Sequence, residues 1–166
     1  MASKLILEMK AELAKGRRNW ESVIELNKKI LPFDTKNSFV YYDIAEGFRQ
    51  LGDTSASLEY AKRAVEINPK DFFSLRLMTL IYDQLDDYDK TYEYAKRSLE
   101  NLPKNVSQPP RKLYKALKLF AFIPIIEKLN NNLYKEINNW GSWRKDWSDW
   151  ATRYISWYEN HRPTAQ

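Results

Sequence analysis

Residues 59–71 read EYAKRAVEINPKD and residues 93–105 read EYAKRSLENLPKN. They share the opening EYAKR, the next glutamate and the Pro-Lys pair, and from Glu59 to Glu93 the chain advances by one period of 34. Each stretch carries helix-forming residues up to its proline, which cannot continue the backbone hydrogen-bond ladder. A fixed period of this length, with little Gly or Pro inside the unit, predicts an array of helix–turn–helix units in which each unit buries its apolar face against its neighbours. The expected fold class is therefore all-α, a helical solenoid.

Working outward from Ser38, the residues resemble the tetratricopeptide repeat family. Tyr41, Ile44, Ala45 and Phe48 match its large, aliphatic, small and aromatic positions in the first helix, followed by the Gly52-Asp53 turn, small Ser57 and Ala64, and the closing Pro69. From Phe72 the series repeats as Leu75, Met78, Thr79, Tyr82, Thr91, Ser98 and Pro103, with Asp86-Asp87 replacing Gly-Asp. The first unit departs further. Its second helix places Trp20, Val23, Ile24, Ile30 and Leu31 on family positions with Thr35 in the place of proline, and its first helix centres on Leu5, Met9 and Leu13. The reading is about three units, 4–37, 38–71 and 72–105, forming a repeat array over 1–105, with 106–166 as amphipathic capping helices.

The resemblance implies that the first helices line a concave surface on which partners lie. The inward positions are Phe39, Tyr42, Asp43, Glu46, Arg49 and Gln50 in the second unit, and Phe73, Arg76, Leu77, Leu80, Asp83 and Gln84 in the third. Members that hold chaperone carboxylate tails use Lys, Asn and Arg there. Here Asp43 replaces the Asn, and Phe73 and Leu77 replace the Lys and Arg, so a carboxylate meets repulsion. An apolar helix or peptide from another protein suits Phe39, Tyr42, Phe73, Leu77 and Leu80 better, with Asp43 and Arg76 setting register and Glu46 on the rim. The chain's own C-terminal helix is a competing occupant.

The C-terminal third has a different character. VSQPP at 106–110 punctuates the chain, and the helix expected next carries Arg111, Lys115 and Lys118 on one face with Leu113, Leu117, Phe120 and Ala121 opposite. Pro124 ends or kinks it. Trp140, Trp143, Trp147, Trp150, Tyr154 and Trp157 then recur at spacings of three and four, which sets all six rings on one helical face. Aromatics bury ~150–250 Å² each, whereas soluble monomers seldom expose apolar patches above about 300–600 Å², so this stripe needs a cover. The candidates are the preceding helices, a second copy of the chain, another protein or a membrane interface.

The 166 residues carry a net charge of +5 and no cysteine. Disulfides and thiolate metal sites are excluded. Residues 1–105 hold 17 basic and 17 acidic side chains, so the excess lies beyond them. A neutral array is unsuited to phosphate, which argues against RNA reading of the pentatricopeptide kind and against nucleic acid generally. The apolar run LFAFIPII is far short of the ~20 residues that span a bilayer, and the N-terminus lacks a signal-peptide core. A cytoplasmic location is expected, with peripheral membrane contact as the alternative. His161 has no second His or Cys for a metal site, and Asp83, Asp86, Asp87 and Asp89 lack the glycine and closing glutamate of a calcium loop. Neither catalytic residues, nor a metal, nor a cofactor is indicated. The functional expectation is a non-catalytic scaffold, adaptor or assembly factor; the alternative is a peripheral module docking on anionic lipid through 111–126 and the tryptophan helix.

Overall fold

The computed structural model describes residues 4–103 and 144–161, and it divides the chain into two compact units, Met1–Leu102 with Arg153–Gln166 and Pro103–Thr152. In the first unit α1 (Lys4–Gly16) is followed by α2 (Trp20–Ile30), a 3₁₀ turn (Leu31–Phe33), α3 (Ser38–Gln50), α4 (Thr54–Ile67), α5 (Phe72–Gln84) and α6 (Tyr88–Glu100). No strand occurs among the described residues. The fold is all-α.

The period governs the boundaries as well as the letters. First helices begin at Lys4, Ser38 and Phe72, and second helices at Trp20, Thr54 and Tyr88, so both series advance by the same period of 34. The cause is local. Asn19, Asp53 and Asp87 occupy equivalent N-caps, and their side chains accept hydrogen bonds from the backbone N–H of Ser22, Ala56 and Lys90. Asn37 and Asp71 likewise accept from Phe39 and Ser74. These oxygens satisfy donors that the first helical turn leaves without an internal partner.

The turn inside each unit needs one residue at positive φ. Gly52 supplies it at 83°, while Arg18 and Asp86 supply it at 56° and 55° in the first and third units. Asp86 therefore keeps the turn geometry without glycine. Side chains other than Gly, Asn and Asp are strained there by about 1–2 kcal/mol, partly offset by the entropy that glycine loses on folding. Arg18→Gly should accordingly raise stability by about 0.5–1 kcal/mol in urea denaturation, and Asp86→Gly by less.

Packing follows the same register. Val23, Ser57 and Thr91 are buried at one position, Asn27, Ala61 and Ala95 at a second, and Ile30, Ala64 and Ser98 at a third. Buried hydroxyls are hydrogen-bonded: Ser57 Oγ donates to the Ala45 carbonyl at 2.8 Å and Thr79 Oγ1 to that of Leu75 at 3.0 Å. One core cluster joins Leu7, Ala11, Ile24, Ile30, Val40 and Ile44, and the next joins Ala45, Ala61, Val65, Leu75, Leu77, Met78, Ile81 and Tyr82. The stacked pair Phe48–Tyr60 (5.7 Å between centroids) recurs as Tyr82–Tyr94 (5.5 Å). In α1 the structure corrects the sequence reading. Leu5 and Met9 are 64% and 60% exposed, and Leu7, Ala11 and Ala14 are buried instead, because these hold the positions of Tyr41, Ala45 and Phe48 one period earlier.

Gly47 marks a close approach of α2 to α3. A Cβ there would stand 2.7 Å from Ile24 Cγ1. Helix propensity favours Ala over Gly by about 1 kcal/mol, but overpacking a filled core costs about 1–3 kcal/mol. Gly47→Ala should therefore lower the thermal midpoint in a circular dichroism melt.

Candidate functional site

The first helices α3 and α5 each carry one arc of exposed and half-buried side chains. On α5 it comprises Phe73, Arg76, Leu80, Asp83 and Gln84, and on α3 Phe39, Tyr42, Glu46, Arg49 and Gln50; none of these ten is buried. At about 100° per residue both sets fall within an arc of about 100°. The sixth inward position sits at the edge of that arc. Leu77 is 1% exposed and belongs to the core cluster with Leu75, Met78 and Ile81. Asp43, its counterpart in α3, is 8% exposed. Neither offers an open surface, so this part of the expected groove is corrected: position six adjoins the helix's buried side, next to Gly47 in one unit and Ile81 in the other.

Asp43 is held from the first unit. Lys15 Nζ donates to Asp43 Oδ1 at 2.6 Å and stands 6.0 Å from the Tyr42 ring centroid. Burial pushes the Asp43 carboxyl above the usual carboxylate range, with Lys15 opposing and Glu12 and Glu46 reinforcing. Burial likewise pushes the Tyr42 phenol up, helped by the charges of Glu46 and Asp43. Glu46 is engaged along its own helix, accepting from Arg49 Nε at 2.9 Å, Arg49 Nη2 at 2.8 Å and Gln50 Nε2 at 2.7 Å. Its carboxylate holds the Arg49 guanidinium above its ordinary pKa.

The face mixes aromatic and aliphatic side chains with polar and charged ones. Phe39 is 57% exposed, and Tyr42 meets Phe73 edge-on at 6.2 Å, joining α3 to α5. Arg76 lies partly buried beside them, and burial pulls its pKa down. Lys15 is the residue that the sequence reading missed. The available signal was the period itself, since Lys15 holds in α1 the position that Arg49 holds in α3.

The C-terminal aromatic face is described only in part. Trp140 and Trp143 lie outside the described residues, as do Arg111, Lys115, Lys118 and the whole of 111–126. Residues 144–161 are helical. Within residues 144–152, Trp147 and Ala151 are buried, and Trp147 stacks on half-buried Trp150 at 4.9 Å. Within residues 153–161, Tyr154 is half-buried, and Tyr158 rather than Trp157 is buried, at 7% against 46% exposure. The covered face of this last segment is thus turned from Trp157 towards Tyr158. The reason lies in polar contacts: Tyr158 stacks on Tyr92 at 4.5 Å and its hydroxyl donates to Asp89, which indole cannot reproduce in the same way. Tyr92 donates to Glu159 at 2.8 Å, which fixes the same segment to α6.

Among the described residues no cluster of His, Cys, Asp or Glu suited to a metal ion occurs, and no helix is long and apolar enough to cross a membrane. No protein-family model and no curated protein sequence matches the chain. Solved structures do. The first repeat domain of Spaghetti (RPAP3), bound to the HSP90 peptide SRMEEVD, is similar with a TM-score of 0.57 at 17% identity over 62% of this chain and 82% of its own. The Sgt2 repeat domain from Aspergillus fumigatus gives 0.57 at 15% identity over 84% of this chain and 82% of its own. MamA gives 0.59 at 14% identity over 96% and 82%. Repeating helix boundaries, small residues at the helix contacts and these likenesses agree: the chain has the tetratricopeptide-repeat fold.

Proposed function

We propose that the chain is a non-catalytic protein-interaction scaffold, an adaptor or assembly factor, that holds an apolar helix or extended peptide of another protein across α3 and α5. The observation that carries this reading is the pair of matching arcs, in which exposed Phe39 and half-buried Phe73 and Leu80 lie beside the edge-on Tyr42–Phe73 contact. Aromatic and aliphatic anchors flanked by charges suit capture of an amphipathic segment. The fold is consistent with such a role, because the Spaghetti domain is bound to a peptide.

An acidic carboxylate peptide of the HSP90 kind is not the expected ligand. Asp43 and Leu77 stand where the clamp would need donors, and Asp43 already takes the ammonium of Lys15. The test is a selection from displayed peptides, followed by titration of the isolated binders. Apolar helical peptides that lose binding at least about tenfold with Phe39→Glu or Phe73→Glu are expected, since a hot-spot loss of about 1.4 kcal/mol or more is tenfold. Recovery of acidic carboxylate peptides unaffected by either substitution would remove the proposal.

A further inference from the structure

A cavity of about 370 Å³ opens at the turn between α5 and α6, lined by Asp86, Asp87, Tyr88 and Asp89 on one side and Trp157, Tyr158 and His161 on the other. Its volume falls in the range of small-ligand sites, ~300–1,000 Å³. None of its described lining residues belongs to the arcs of α3 and α5, so it stands independently of the proposed peptide face.

Its walls are aromatic. The Trp157 ring meets Tyr88 edge-on at 6.0 Å and stacks on the His161 ring at 5.4 Å, with planes 22° apart. The His161 Nδ1–H donates to the Trp157 carbonyl at 2.8 Å, which fixes the imidazole over the indole. Trp157 and Tyr88 nevertheless remain 46% and 49% exposed. Aromatic faces carry negative potential, and here they are set among three carboxylates with no Lys or Arg among the described lining residues. Anions are repelled.

The carboxylates differ in what they already do. Asp87 caps α6 and meets Lys90 Nζ at 3.3 Å, and Asp89 accepts from Tyr158. Asp86, at the tip of the turn, receives from the described residues a long contact from the Tyr88 hydroxyl at 3.5 Å, so its oxygens keep acceptor capacity. The described carboxylates do not converge as a metal-ion cluster does. An organic cation fits better. A planar guanidinium can stack on the exposed indole while its fork of donors reaches Asp86, a combination that an ammonium group cannot make.

We propose that this acidic aromatic pocket binds the guanidinium group of an arginine side chain in a basic peptide. The full-length chain, labelled with ¹⁵N, would be titrated with N-acetyl-arginine amide while the indole N–H signal of Trp157, assigned by Trp157→Phe, is followed. A saturable shift with a Kd on the order of 1–10 mM is expected for one such side chain. The neutral citrulline analogue, alike in shape, should bind at least about fivefold more weakly. Asp86→Asn should weaken the arginine ligand by about three- to fivefold and still fold, because Asn also tolerates positive φ. No saturable shift, equal binding of the citrulline analogue, or full affinity in Asp86→Asn would overturn the proposal, and equal binding of N-acetyl-lysine amide would overturn the choice of guanidinium.

Discussion

Leu77→Glu should unfold the third repeat unit, whereas Phe39→Glu should leave stability within about 0.5 kcal/mol of the parent. The two positions look alike in the repeat pattern, and both are apolar. Leu77 is 1% exposed among Leu75, Met78 and Ile81, while Phe39 is 57% exposed. A carboxylate forced into the first site either stays charged without a partner or binds a proton, and both alternatives cost several kcal/mol, about 4 or more with the lost packing. That is a large share of the ~5–15 kcal/mol that stabilises a typical domain. In an array whose units contact only their neighbours, α5 and α6 should melt first. Circular dichroism melts check this, with Leu77→Glu expected to lose helix at a temperature where Phe39→Glu keeps it. A folded Leu77→Glu protein would mean that position six is open in solution.

Lys15→Met should destabilise the chain by about 2–3 kcal/mol at pH 7, with the loss largely gone near pH 4. Removing one partner of a buried pair costs about 3–5 kcal/mol, and the lower figure is appropriate because Lys15 is itself part-exposed. The pH dependence follows from Asp43. Burial raises its carboxyl above the usual range even with Lys15 beside it, and loss of the ammonium raises it further. A carboxyl raised in the folded state is best accommodated protonated. Its penalty is absent below the ordinary carboxylate pKa, grows as pH rises from there, and is complete above the folded one. Asp43→Asn should therefore suppress most of the Lys15→Met effect at pH 7. Urea denaturation of the parent, both single variants and the double variant at the two pH values decides the matter. An equal loss at both would show that Lys15 acts through packing rather than charge.

Much of the fold was legible because its determinants are local. Caps, turn residues and the small positions of the second helices repeat with the letters, so a period of 34 carries the starts of α1 to α6 with it. Even the degenerate first unit obeys it, although Leu5 and Met9 drew attention away from Leu7, Ala11 and Ala14. Helical spacing in so short a segment admits more than one apolar face, and only contact with α2 and α3 selects between them.

The candidate site was legible to the level of a face and no finer. Sequence by itself determined the repeat and the all-α architecture, and the family resemblance supplied the inward set on α3 and α5. Tertiary structure decided that Asp43 and Leu77 leave that set, that Lys15 joins Asp43, and that Tyr158 displaces Trp157 from the covered stripe. It also brought Asp86, Asp87 and Asp89 against Trp157 and His161, which lie far along the chain. The division has a physical reason. Helix starts and turns are set by hydrogen bonds and φ angles within a few residues, while burial at the edge of a face and pairing of distant charges depend on which neighbour arrives there.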